Sequence, residues 1–257
     1  MTTPSRPFDL TDRVVVVTGG NGGIGLGMAQ ALGYAGAKIA IWGRNTDKNS
    51  AAVADLTAAD IDAYALEVDV TSEISVENGF INTLAAFGQV DCLIANAGMG
   101  FPGPVHTLSF DDWHRAIAVN LDGAFLCFRA AARYLIDRGE GGSLIGVSST
   151  SAIHGAPGNE GYSASKAGVL SLVRGLAVEL ARHKIRCNTI MPGWTETDMT
   201  APLLGWDKFV ANTIARTPAR RWGVPADLGP AAVFLADPTL TFHTGDCIVV
   251  DGGYTIF

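Results

Sequence analysis

The chain has 257 residues, 48% of them hydrophobic and 17% charged, with a formal net charge of −7. That composition excludes a disordered chain, and the acidic balance argues against nucleic acid or an anionic membrane as partner. No apolar run reaches the roughly 20 residues of a membrane span, and the first residues, MTTPSRPFDLTDR, hold no apolar signal core; a cytoplasmic protein is expected.

The first strand-like run is VVVVTG at 14–19. It leads directly into GNGGIGLG and a helical pattern over Ile24–Ala35. Glycines let a backbone approach a ligand closely, and a helix N-terminus offers free N–H groups to an anion. The stretch fits GxGxxG at Gly20, Gly22 and Gly25, and TGxxxGxG at Thr18, Gly19, Gly23 and Gly25. Its place between the first strand and the first helix supports a dinucleotide phosphate loop over a plain tight turn.

The second run, KIAIWG at 38–43, ends where an NAD site usually carries Asp or Glu. Here Gly43 stands at that place, followed by Arg44 and Asn45. An arginine suits a ribose 2′-phosphate through charge and its donor fork. NADP is therefore expected to be preferred, with NAD still accepted.

Further strands are expected at 64–70, 91–98, 143–149, 185–193 and 247–253, and helices over Ser75–Phe87, Asp111–Ile136 and Ser163–His183. The strands are continuously apolar, as strands covered on both faces are. Their alternation with helices predicts a doubly wound parallel sheet in a single α/β domain over 1–257. Pro202, Gly205 and Pro218 break the rhythm after the sixth strand, so about 194–221 is expected to form a substrate lid.

Two features hint at chemistry. Ser149 ends the fifth strand, where open α/β sheets bind ligands. Tyr162 and Lys166 stand one helical turn apart in GYSASKAG, either as a solvated helix start or as a proton-transfer couple. The five histidines and the scattered Cys92, Cys127, Cys187 and Cys247 lack metal-ligand spacing, so no metal is expected and the thiols read as free and reduced.

Taken in order, TGGNGGIG, Asp69–Val70, Asn96–Ala97–Gly98, Asn120, Ser149, YSASK at 162–166, PGWTET at 192–197 and DGG at 251–253 resemble the short-chain dehydrogenase/reductase family along nearly the whole chain. The resemblance implies a Rossmann-type fold and a catalytic tetrad of Asn120, Ser149, Tyr162 and Lys166. It implies phosphate-loop contacts at Gly19, Asn21, Gly23, Ile24 and Gly25. Asp69 and Val70 would meet the adenine, and Asn96, Ala97 and Gly98 the adenosine ribose. Pro192, Gly193 and Thr195 would hold the nicotinamide amide, and Thr197 the diphosphate, with Tyr162 and Lys166 also touching the cofactor. A homotetramer follows from the same resemblance. Asn120 would hold a water linking Lys166 to solvent.

Two positions depart from the family pattern. Thr195 replaces a branched aliphatic residue, and Lys184 stands where glycine is frequent. The leading expectation is a ketone reductase or alcohol dehydrogenase acting on a fairly apolar small molecule. Ser151, His154 and Trp194 are the candidate substrate contacts. A silent dinucleotide-binding redox sensor and a lyase or epimerase on the same fold stay open as alternatives.

Overall fold

A computed structural model describes residues 6–257. Seven parallel strands form one sheet in the order β3-β2-β1-β4-β5-β6-β7. They are β1 (Val14–Thr18), β2 (Lys38–Gly43), β3 (Ala63–Glu67), β4 (Cys92–Ala95), β5 (Gly142–Val147), β6 (Ile185–Pro192) and β7 (Cys247–Val250). The order reverses between β1 and β4, which opens a crevice at their carboxyl ends.

The helices are α1 (Gly23–Tyr34), α2 (Thr46–Ala58), α3 (Glu73–Phe87), α4 (Phe110–Ile117), α5 (Gly123–Arg138), α6 (Ser151–His154), α7 (Glu160–Leu180), α8 (Ala201–Leu204), α9 (Asp207–Arg216) and α10 (Gly229–Ala236). Alternate residues of β1 serve two different cores. Val15 and Val17 join Met28 of α1, Leu56 of α2 and Leu235 of α10. Val14 and Val16 join Phe80 of α3, Phe128 of α5 and Val173 of α7. Both faces are dry, which is why the strand sequence is apolar without alternation.

Two expected helices differ from the observed ones. Asp111–Ile136 lies within one unbroken helical run, but the run is not regular: α4 ends at Ile117, a π-turn runs over Ala118–Asp122, and α5 begins at Gly123. The Gly123 N–H bonds the Ala118 carbonyl, five residues back. Gly123 also lies against Val70, where a Cβ would come within 2.8 Å of the valine side chain. The Ser163–His183 helix starts earlier, at Glu160, and its last turn is a 3-10 turn closed by Lys184 at φ 60°, ψ 24°. Lys184 therefore takes the left-handed conformation, at a cost of roughly 1–2 kcal/mol relative to ordinary backbone.

The segment after β6 folds into α8, α9 and a return through Trp222. Trp194 stacks on Trp222 at 5.4 Å between ring centroids, and Phe209 meets Trp194 edge-on at 5.1 Å. Trp222 is buried and its Nε1–H donates to Thr213 Oγ1 at 2.8 Å. Among the described residues no helix is long and apolar enough to cross a membrane, and no cluster of His, Cys, Asp and Glu could hold a metal ion. Cys92, Cys127 and Cys187 are buried, and burial pushes each thiol up to about 12.

Candidate active site

The glycine loop is built by close approach. Gly19 and Gly23 have φ of +63° and +50°, a region that favours glycine. A Cβ on Gly25 would lie 2.3 Å from the Gly19 carbonyl oxygen and 2.5 Å from Asn96 Nδ2. Around Gly22 there is open space, and no side chain caps the N-terminus of α1. The cradle thus presents uncapped N–H groups to an open cleft, which fits a diphosphate.

Side chains beneath the loop hold it in shape. Thr18 Oγ1 accepts from the backbone N–H of Asn96 and of Ala97, at 3.0 and 2.9 Å. Asn96 Nδ2 donates to the carbonyls of Thr18 and Gly19 at 2.9 and 3.2 Å. The Asn96 Nδ2 is therefore committed to the loop. Asn21 likewise turns its amide to Asn49, 2.7 Å away. Asn45 caps α2, its Oδ1 accepting from the Lys48 N–H at 2.9 Å.

Arg44 is exposed and forms no ion pair among the described residues. It acts on Asp69 across the cleft mouth. Burial pushes the Asp69 carboxyl up, but the hydrogen bonds from Thr71 and the Arg44 charge outweigh it and leave the group below its usual value. Asp69 Oδ1 accepts from both the Thr71 N–H and hydroxyl, at 3.0 and 2.8 Å. Val70, next in sequence, is buried.

On the far side of the crevice, Gly193 packs so closely on Asp251 that a Cβ would come within 2.6 Å of it. The Gly193 N–H donates to the Val250 carbonyl at 3.0 Å. Thr195 is buried and donates to the Gly193 carbonyl at 3.1 Å. Thr200 ties the turn together, donating to the Thr195 carbonyl at 2.7 Å and accepting from the Thr197 N–H at 3.0 Å. Thr197 then overhangs the glycine loop, its Cγ2 3.3 Å from a Cβ position on Gly23.

Between these two sides lies the polar group at the ends of β4 and β5. Lys166 Nζ is buried, donates to the Val147 carbonyl at 2.8 Å, and sits 5.6 Å from the centroid of the Tyr162 ring. Burial pushes the Lys166 ammonium down to about 8. Burial also raises the half-buried Tyr162 phenol, and the Ser149 hydroxyl beside it pulls it back. Ser149 Oγ accepts from the Ser151 N–H and lies 3.2 Å from Ser151 Oγ. Gly98 leaves the room this needs: a Cβ there would stand 3.2 Å from Lys166 Nζ and 3.3 Å from Asn120 Oδ1.

Asn120, inside the π-turn, spends its whole side chain on structure. Oδ1 accepts from the Met99 N–H at 2.8 Å, and Nδ2 donates to the Met99 carbonyl at 2.8 Å and to Ser165 Oγ at 2.9 Å. His154 is exposed, edge-on to Tyr254 at 6.1 Å. Trp194 belongs to the aromatic stack already described. Sequence reasoning missed Thr18 as a support of the loop, and missed Asn49 and Thr200. The first lay inside the glycine motif; the other two read as ordinary polar helix and turn residues.

Residues 19–255 match the family model described as enoyl-(acyl carrier protein) reductase. The chain is 34% identical over 249 residues to gluconate 5-dehydrogenase of Gluconobacter oxydans, covering 97% of each. It is 35% identical over 246 residues to the 3-oxoacyl-acyl-carrier-protein reductase FabG of Chlamydia pneumoniae, covering 96% of this chain and 98% of that one. The crystal structure of a gluconate 5-dehydrogenase from Burkholderia cenocepacia J2315, in complex with NADP and tartrate, superposes with a TM-score of 0.92 at 35% identity, covering 96% of this chain and 97% of that one.

Proposed function

Since the chain belongs to the short-chain dehydrogenase/reductase family and is an oxidoreductase acting between CH–OH and C=O groups, we propose that it interconverts a small-molecule ketone and secondary alcohol with NADP, using Tyr162 as general acid and base. The observation that carries this reading is the convergence of Tyr162, Ser149 and the buried Lys166 ammonium at the carboxyl end of β5. A bound nicotinamide dinucleotide would supply the hydride in reduction and take it up in oxidation. Ser149 donates a hydrogen bond to the substrate oxygen and holds it beside the phenol. Tyr162 gives that oxygen its proton in reduction and takes it back in oxidation. The Lys166 ammonium favours the phenolate through charge. Because the Asn120 side chain is committed, a relay water beside it falls to the backbone carbonyl.

For the cofactor, the open α1 N-terminus and glycine cradle suit the diphosphate, with Gly19, Asn21, Gly23, Ile24 and Gly25 meeting it through backbone and Thr197 covering it. Pro192, Gly193 and Thr195 suit the nicotinamide amide, and Asp69, Val70 and Asn96–Gly98 the adenosine. The unpaired Arg44 at the tip of β2 suits a 2′-phosphate, with Asn45 beside it, and NADP in the Burkholderia relative agrees. NAD is accepted more weakly.

The finer substrate reading is an apolar carbonyl, supported by the exposed Met199, Leu204 and Trp206 of the lid at about 194–221. Ser151, His154 and Trp194 are its nearest candidate contacts. A polar sugar acid is the second reading, favoured by the gluconate relatives. One domain over 1–257, a cytoplasmic location and a homotetramer complete the proposal. The exposed Phe242, Val249, Ile256 and Phe257 favour assembly, and light scattering at micromolar protein tests it.

The deciding experiment on chemistry is Tyr162→Phe. Turnover should fall about 10²- to 10⁴-fold while NADPH binding stays within twofold. Residual activity within a few-fold of the parent would refute the assignment. A panel of ketones and keto-acids, run on the parent, separates the two substrate readings.

A further inference from the structure

In the sequence, Gly43 looks like an empty place where an acid is missing. The structure fills that place. A Cβ built on Gly43 would lie 2.4 Å from Asn21 Nδ2 and 2.6 Å from Asn49 Oδ1, distances that Cβ atoms essentially never show. Asn49 stands on the first turns of α2 and is 4% exposed. Its amide is fully used. Nδ2 donates to the Gly43 carbonyl at 2.8 Å and to the Leu66 carbonyl at 3.2 Å, and Oδ1 accepts from Asn21 Nδ2 at 2.7 Å. One buried side chain thus joins the tip of β2, the tip of β3 and the glycine loop. Buried amides with every bond made do not move aside readily, since each lost bond leaves a dry polar atom.

We infer that Asn49 is a specificity-determining positioning residue. With Asn21 it occupies the volume that a carboxylate on residue 43 would need, and so commits the β2 tip to a dinucleotide bearing a 2′-phosphate. The pair is uncharged and turned inward, so it offers a phosphate neither attraction nor repulsion. Arg44 alone then supplies the charge. It follows that cofactor choice cannot be reversed at residue 43 while Asn49 is present. An aspartate there must displace the Asn21 amide and break its bond to Asn49, which ties the glycine loop to α2. Removing Asn49 frees this space, because Asn21 loses the acceptor that holds it.

The inference rests on the reading that Arg44 receives the 2′-phosphate, and the test separates the two. Dissociation constants for NADP+ and NAD+ are measured by calorimetry for the parent, Gly43→Asp, Asn49→Ala, the double variant and Arg44→Ala. Circular dichroism and size-exclusion profiles check each fold. Gly43→Asp alone should weaken both cofactors by about tenfold or more. In the Asn49→Ala background the same change should leave NAD+ within a few-fold of its parental affinity and make it the tighter ligand. Such non-additivity is expected of side chains in contact. If Gly43→Asp alone binds NAD+ as tightly as the double variant does, Asn49 is no gate and the inference falls. Should Gly43→Asp fail to fold, Gly43→Ala replaces it. Its loss of affinity for both cofactors should disappear when Asn49 is also alanine, and persistence of that loss would overturn the inference. Arg44→Ala tests the underlying reading by itself: it should weaken NADP+ alone, and equal weakening of NAD+ would sink the 2′-phosphate assignment while leaving the coupling of residues 43 and 49 to be judged on NAD+.

Discussion

The two walls of the cleft are made by different means. The glycine-loop wall is backbone held from beneath by small polar side chains, the buried Thr18 and Asn49 and the half-buried Asn96. The opposite wall is a stack of large rings, Trp194, Trp222, Phe209 and Trp206. The first is held closely at Gly25 and Gly43, where an added Cβ would collide. The second fills space, and rings of similar size can serve. A shared ligand part calls for the first kind of wall, and a part that varies between relatives is compatible with the second.

Substitutions that fail in different ways on the two walls test this contrast. The largest effect on stability is expected from Trp222→Ala, which empties the stack and removes the indole N–H that Thr213 Oγ1 accepts. It should cost roughly 3–5 kcal/mol in urea unfolding, with cofactor affinity in the surviving folded fraction little changed. Next is Lys166, between the walls. Its folded value of about 8 lies below the ordinary 10.5, so the unfolded chain holds more protons between those values. The penalty is fully present below pH 8 and fades as pH rises toward 10.5. Relative to Lys166→Met, the cofactor-free parent should therefore gain stability across that window, by up to about 3 kcal/mol, read from paired urea midpoints. Gly25→Ala should do the reverse of Trp222→Ala. Its methyl would press on the Gly19 carbonyl, so NADP+ affinity should drop by about tenfold or more with a smaller loss of stability. The smallest effect is Lys184→Gly, which relieves the left-handed backbone and should add on the order of 0.5–1 kcal/mol while leaving both walls and turnover unchanged.

The same contrast decides what could be read from sequence. The glycine wall was legible because close approach permits one residue type, and the spacing of Gly19, Gly23 and Gly25 records it. The strands were legible because both faces of β1, β4 and β6 are dry. Tyr162, Lys166 and Ser149 were found by their order along the chain, and the structure brings them together. Asn49 was illegible: in TDKNSAAV it looks like one more polar residue at a solvated helix start, and only the tertiary fold turns it inward. The aromatic stack was illegible too, because Trp194, Phe209 and Trp222 are brought together by loops that follow no period. Which atoms of Asn21 and Asn96 are free was not legible either: the structure turns the Asn21 amide to Asn49 of α2 and the Asn96 amide to the loop carbonyls.

The π-turn at Ala118–Asp122 sets the phase of everything after it. It holds one residue more than a regular turn would, and each residue of an α-helix advances the face by about 100°. With the extra residue, Asn120 faces Met99 and Ser165 while Phe128, Ala131 and Leu135 face the sheet. The wider turn is closed by the Gly123 N–H on the Ala118 carbonyl, five residues back. The irregular turn and the polar anchor coincide, so that one rod carries a buried amide bonded to two other segments and, beyond it, an apolar stripe against the sheet.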